Sequence, residues 1–241
     1  MSKFRTPAVS RRMMIGTLSA AAFTLLTAAA PAKPAPARLS ATVAANEIGA
    51  FVMGKPTAKV RLVEYFSYTC SHCAEFEKIS AIPLKSLYVD KGLVVVEYRN
   101  LIRDPLDMTA ALLARCGGPG AFAANHRAIM LAQPKWLGKV IKMTDAQRAP
   151  WYQGSPTERA ERIAAGSGLT ALMQTRGYSA AAIKACLDSE VAAAEITGMT
   201  NIGQNADHVR ATPTFFVNGR VVEGSDWPTV KSRLDLAIKG N

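Results

Sequence analysis

The run KVRLVEYFSYTCSHCAEFEKIS, Lys59 to Ser80, changes character once, and that change decides the fold. Lys59 to Phe66 is rich in β-branched and aromatic side chains and too short for a helix, which predicts a strand. From Ser71 to about Leu87 the sequence predicts a helix, so Cys70-Ser71-His72-Cys73 stands at a strand-to-helix junction. Gly92 stops the helical region. Leu93 to Tyr98, LVVVEY, is then a second strand, of the continuous apolar kind that parallel sheets bury on both faces. A strand, helix, strand unit results, with a Cys-x-x-Cys motif at its bend.

Strand character returns near the end of the chain. Thr214 to Val217 and Arg220 to Glu223 flank Asn218-Gly219, a pair that supplies the positive φ angles of a type I′ hairpin, and Trp227 to Ile238 predicts a closing helix. Between Pro105 and about Asp207 the texture is Ala-rich and helical, over roughly 106–115, 120–132, 157–165, 168–175, 179–187 and 189–204. Gly117-Gly118-Pro119, Pro134, Pro150, Gly154, Gly166 and Gly177 read as helix stops. A helical block thus interrupts an α/β pattern, and no internal repeat is visible.

Lys3, Arg5, Arg11 and Arg12 precede an uncharged apolar run, Met13 to Ala30, and then Pro31 to Ala37, rich in Ala and Pro. Basic region, apolar region and small residues in that order predict a cleaved export signal over 1–37; a weak membrane anchor is the competing reading. Ser10 to Ile15, SRRMMI, resembles a twin-arginine export motif, with Met14 and Gly16 departing from it, which leaves the export route open. Residues 38–46 read as a linker, with the fold starting near Ile48.

The chain has 241 residues, 49% of them hydrophobic, enough for one sizeable core. Its formal charge of +11 includes Lys3, Arg5, Arg11, Arg12, Lys33 and Arg38, all ahead of the first acidic residue, Glu47. Without these six the surplus falls to about five, and no basic run follows that would build a phosphate-binding stripe, so nucleic-acid binding has no support.

A Cys-x-x-Cys at a helix start has a definite chemistry. The first sulfur sits among unpaired backbone N–H groups at the positive helix end, which lowers its pKa and makes Cys70 the nucleophile. Cys73, one turn on, can resolve a mixed disulfide. His72 can donate a hydrogen bond or a positive charge to the Cys70 thiolate, stabilising the reduced form and making the couple more oxidising. Half of a zinc site is the rival reading of the motif. It needs a second closely spaced Cys/His pair, whereas His126 and His208 are isolated in the sequence, so no metal is expected.

Val63 to Glu77, VEYFSYTCSHCAEFE, resembles the active-site segment of the DsbA family of thioredoxin-fold proteins, and Ala211 to Gly219, ATPTFFVNG, resembles that family's cis-proline loop and hairpin. The helical block is similar to the family's insertion, so the resemblance covers about 47–241. It implies a thioredoxin-like domain over 47–105 and 207–241, a helical domain over 106–206, a cis Pro213, and a Thr212 backbone that pairs with substrate. Alternation puts Glu64 on one face with Val60, Leu62 and Phe66, in apolar surroundings, and the resemblance implies a buried acid that relays protons to Cys73. The alternative for Glu64 is an edge carboxylate paired with Arg61 or Arg99. Ser71 departs from the proline common at that place, which bears on how oxidising the couple is.

Cys116 and Cys186 both fall in the helical block, and exported proteins seldom leave two thiols free, so a structural disulfide between them is expected. It would close a loop of about 70 residues, worth roughly 4 kcal/mol by chain entropy. The family implies a monomeric periplasmic oxidase acting on unfolded exported polypeptides, without a bound cofactor, and reoxidised by a membrane quinone-linked partner of DsbB type. An isomerase or reductase using the same cysteines, and a chaperone-like binding module, are the alternatives. No dimerisation domain follows the signal, which counts against a dimeric isomerase.

Overall fold

The computed structural model describes residues 43–240, so the expected signal and its twin-arginine resemblance lie outside the described residues. In chain order the elements are β1 (Val43–Ala45), β2 (Phe51–Met53), β3 (Val60–Phe66), α1 (Ser71–Leu84), β4 (Val94–Asn100), α2 (Pro105–Ala114), α3 (Pro119–Leu131), α4 (Gln133–Ile141), α5 (Asp145–Arg148), α6 (Pro156–Ser167), α7 (Leu169–Thr175), α8 (Ala180–Leu187), α9 (Glu190–Asn205), β5 (Thr214–Val217), β6 (Arg220–Val221) and α10 (Trp227–Lys239). The six strands form one sheet in the order β1-β2-β4-β3-β5-β6. Only β3 and β4 run parallel, Leu62 opposite Val96 and Phe66 opposite Asn100, and every other pairing is antiparallel.

The parallel pair is the centre of the core, as its unbroken apolar runs require. Val60, Leu62, Tyr65, Phe66, Val94 and Val96 are fully buried, each large one contributing about 1.5–3 kcal/mol over an exposed side chain. Phe76 of α1 stacks on Phe215 of β5 at 4.4 Å and meets Trp227 of α10 at 6.3 Å, so α1 and α10 share the sheet face that carries Val60, Leu62 and Phe66. The opposite face carries Val63 and Tyr65, and α9 closes on it at Gly203, where a side chain would run into the Tyr65 ring.

The Asn218-Gly219 turn has φ of 49° and 78°, as a primed hairpin turn needs. Asn218 also accepts from the Arg61 N–H at 2.8 Å and donates its own N–H to the Arg61 carbonyl at 2.9 Å, which pins the turn to the start of β3.

The helix expected from Ser71 to about Leu87 is present, running through Pro83 to Leu84 and on into a π-helical turn, Lys85–Val89. Three local readings are corrected. Ordered structure begins before Ile48, because Val43–Ala45 pairs with Phe51–Met53, so the expected linker 38–46 contains a strand. Pro134 does not stop a helix but stands in the first turn of α4, where a missing N–H costs nothing. Gly166 lies inside α6 with its Cα against the Trp151 indole, and the stop is Gly168 at φ 95°.

Candidate functional site: a cysteine pair at a helix N-terminus

Cys70 is the N-cap residue of α1, with extended backbone at φ −92° and ψ 118°, and no side chain caps the helix there. The first backbone N–H groups are therefore left for the sulfur itself. The Cys70 thiol is held down at about 4, chiefly by the hydrogen bond from the Cys73 side chain, then, against the opposing effect of burial, by the Thr212 side chain and the N–H groups of Cys73 and His72. Cys73 is fully buried, and its pKa is pushed well up, first by burial and then by its hydrogen bond to Cys70. Both cysteines are free, and the pair is strongly asymmetric: one sulfur anionic at neutral pH, its neighbour a protonated reserve.

The Thr212–Pro213 peptide is cis, and the Thr212 carbonyl accepts from the Cys70 thiol at 3.1 Å. That contact exists only for the protonated sulfur, so ionisation frees the carbonyl. The loop reaches this place through anchors on the sheet. Asp207 takes hydrogen bonds from Tyr65 Oη at 2.7 Å and Arg99 at 2.9 Å, Val209 is buried, and the Thr214 hydroxyl donates to the Ala211 carbonyl at 2.7 Å.

Glu64 is 3% exposed and its side chain makes no hydrogen bond among the described residues; burial, then the charge of Glu77, raises its pKa well above the ordinary carboxylate value. It also acts on Cys73, whose pKa its charge raises. The alternative pairing with Arg61 or Arg99 does not occur, since both arginines bind Glu97, at 2.6 and 2.7 Å. His72 and Ser71 are exposed, and the part of His72 that reaches the Cys70 sulfur is its backbone N–H.

Several residues at the site carry no motif. Gln133 donates to the carbonyls of Tyr68 and Cys70, and Asp107 accepts from Ser67 and Tyr68. His126 is in the core, its Nδ1 sharing a hydrogen bond with Tyr68 Oη at 2.9 Å and its Nε2 facing Glu77 at 3.7 Å. The Asp104-Pro105-x-Asp107 capping pattern was a visible signal for Asp107, because an acid at the third helical position is held near the helix start. Gln133 had none. Cys116 and Cys186 are joined by a disulfide with their Cα atoms 5.5 Å apart, away from this site. Among the described residues no cluster suits a metal ion, and no helix is long and apolar enough to cross a membrane.

A strand-to-helix Cys-x-x-Cys facing a cis-proline loop defines a thioredoxin-type redox protein. A family profile described as thioredoxin matches residues 46–236, and the chain belongs to that family. Its fold, with helices inserted between β4 and β5, is that of the DsbA-type members. The crystal structure of a protein-disulfide isomerase from Novosphingobium aromaticivorans is similar at 36% identity, over 78% of this chain and 96% of that one, with a TM-score of 0.74. Wolbachia pipientis alpha-DsbA1 matches at 21% identity, over 78% and 90%, with a TM-score of 0.60. A Rickettsia conorii protein whose provisional name is protein-disulfide oxidoreductase is 30% identical over 189 residues, 78% of this chain; the match spans 60% of that relative's length.

Proposed function

We propose that this protein is a thiol-disulfide oxidoreductase that donates disulfides to unfolded polypeptides exported to the periplasm. The observation that carries the reading is the split within the motif, with Cys70 held at about 4 and Cys73 pushed up. A substrate thiolate attacks Sγ of Cys70 in the oxidised enzyme, breaking the Cys70–Cys73 bond and forming a mixed disulfide, and Cys73 leaves and takes up a proton. A second substrate thiolate attacks the substrate sulfur of the mixed disulfide, and Cys70 departs as a stable thiolate. The substrate dithiol is oxidised to a disulfide, and the enzyme is reduced by two electrons. A low leaving-group pKa favours this last step and stabilises the reduced enzyme, which is what a donor requires.

Glu64 supplies and accepts the Cys73 proton, Ser71 and His72 face the substrate, and the Thr212 carbonyl beside Pro213 pairs with its extended backbone. The two parts of the site come from 47–105 and 207–241, with 106–206 as the helical domain. A membrane quinone-linked partner of DsbB type reoxidises the monomer, and no bound cofactor takes part.

The name of the Novosphingobium relative favours a second reading, an isomerase, in which a reduced Cys70 attacks wrong disulfides. The reduction potential of the Cys70–Cys73 couple, equilibrated against glutathione, separates the two. A value well above thioredoxin's, which lies at about −270 mV, supports the donor; a thioredoxin-like value overturns it.

A further inference from the structure

The segment that leads into Cys70 is held from the inserted helices. Gln133, the first residue of α4 and 3% exposed, donates from Nε2 to the carbonyls of Tyr68 and Cys70, both at 2.8 Å. An amide nitrogen carries two protons, so this one side chain is used to the full on two carbonyls of the same loop. Asp107 in the first turn of α2 is fully buried and accepts from Ser67 Oγ at 2.7 Å, Tyr68 N at 2.7 Å and Arg103 N at 3.1 Å. Ser67 passes this hold to both cysteines: its carbonyl accepts from Cys70 N at 3.3 Å, its hydroxyl from Thr69 N at 3.1 Å, and its backbone N–H faces the Cys73 sulfur.

The direction of the Cys70 peptide decides where its sulfur lies against the N–H groups of His72 and Cys73. The Cys70 carbonyl also takes the first bond of α1, from Ala74 N at 3.2 Å, so Gln133 grips the turn at which the helix begins. We infer that Gln133, with Asp107 as second anchor, is a positioning residue through which the inserted helices set the reactivity of Cys70. The inference rests on Cys70 being the sulfur that exchanges with substrate in the proposed function, but its readout, the ionisation of one thiol, does not depend on which substrate is served or on oxidase against isomerase.

Reduced protein with the Cys116–Cys186 bond intact is titrated by thiolate ultraviolet absorbance, with thermal unfolding followed in parallel. Gln133→Met keeps the volume and removes both donors. It should raise the Cys70 pKa by about one unit, leaving tenfold less thiolate at lower pH and moving the potential about 30 mV towards reducing. Ser67→Ala removes one of the three hydrogen bonds to the Asp107 carboxyl, and with it a bond that lowers that carboxyl's pKa of about 7; titrated well below that value, where the carboxyl is protonated in both proteins, it should shift the Cys70 pKa the same way by less. If both variants unfold earlier but titrate as the wild type does, the clamp is only structural and the inference falls. Should Gln133→Met not fold, an unshifted Ser67→Ala overturns it alone.

Discussion

The two cysteine pairs of this chain sit at opposite ends of helices. Cys70 and Cys73 are at the N-terminus of α1, where free N–H groups and the positive end of the dipole meet the sulfur. Cys116 lies just past the C-terminus of α2, and Cys186 lies in the last turn of α8, where carbonyls point outward and a thiolate is disfavoured. The Cys116 carbonyl is taken by Asn125 at 2.8 Å and Tyr178 at 2.9 Å, which leaves that segment fixed in the packed helices. The first pair spans one helical turn and can exchange partners; the second bridges 70 residues of sequence and ties α8 to the end of α2. The chemistry of a cysteine here follows from the end of the helix it occupies.

The largest effect that tests this contrast is Cys70→Ser. Disulfide transfer to a reduced unfolded substrate should fall to the uncatalysed background, because no other sulfur in the chain is held anionic; turnover within a few-fold of wild type would break the comparison. Second in size is the double change Cys116→Ala with Cys186→Ala. It should leave the alkylation profile of Cys70 unchanged, half-maximal near pH 4, while lowering stability by roughly 4 kcal/mol in denaturant titrations. A shifted alkylation profile would mean that the second pair tunes the first and is not purely structural.

How much of this could be read from the sequence depended on the range of the signal. The Cys-x-x-Cys junction, the Asn218-Gly219 turn and the long runs of β3 and β4 are set by neighbours within a few residues, so periodicity and turn chemistry reveal them. The strands β1 and β2 are three residues each and exist by pairing with one another and with β4, which no local pattern encodes. Pro134 and Gly166 misled for opposite reasons: a proline breaks a helix interior but suits its first turn, and a glycine marks an end only where no neighbouring ring demands the space. Glu97 looks like one more strand residue until Arg61 and Arg99 close on it. The support of the site was the least legible part, since Gln133 reaches back 63 residues to the Cys70 carbonyl and Asp107 reaches 40 to the Ser67 hydroxyl. His126, isolated in the sequence, is surrounded in the fold by Phe66, Tyr98 and Phe122.

The smallest effect concerns what separates Cys73 from Cys70 within the active pair. Glu64 lies on the sheet face beneath α1, and its charge raises the Cys73 pKa, adding to the asymmetry that burial creates. Its own pKa is raised in the folded state, so folding favours its protonated form: that contribution to stability is complete below the ordinary carboxylate value near 4.3 and is lost as pH rises through the folded value. Glu64→Gln keeps the shape and removes the proton exchange. The variant should gain stability relative to wild type as pH increases from about 4 towards 8, measured as the difference in unfolding midpoint at each pH. Cys73 should titrate lower in the same variant, and release of the mixed disulfide should slow by a few-fold if Glu64 moves the proton. A midpoint difference that stays flat with pH would mean that Glu64 ionises in the fold as it does in the open chain, and the proton for Cys73 would have to come from solvent through another path.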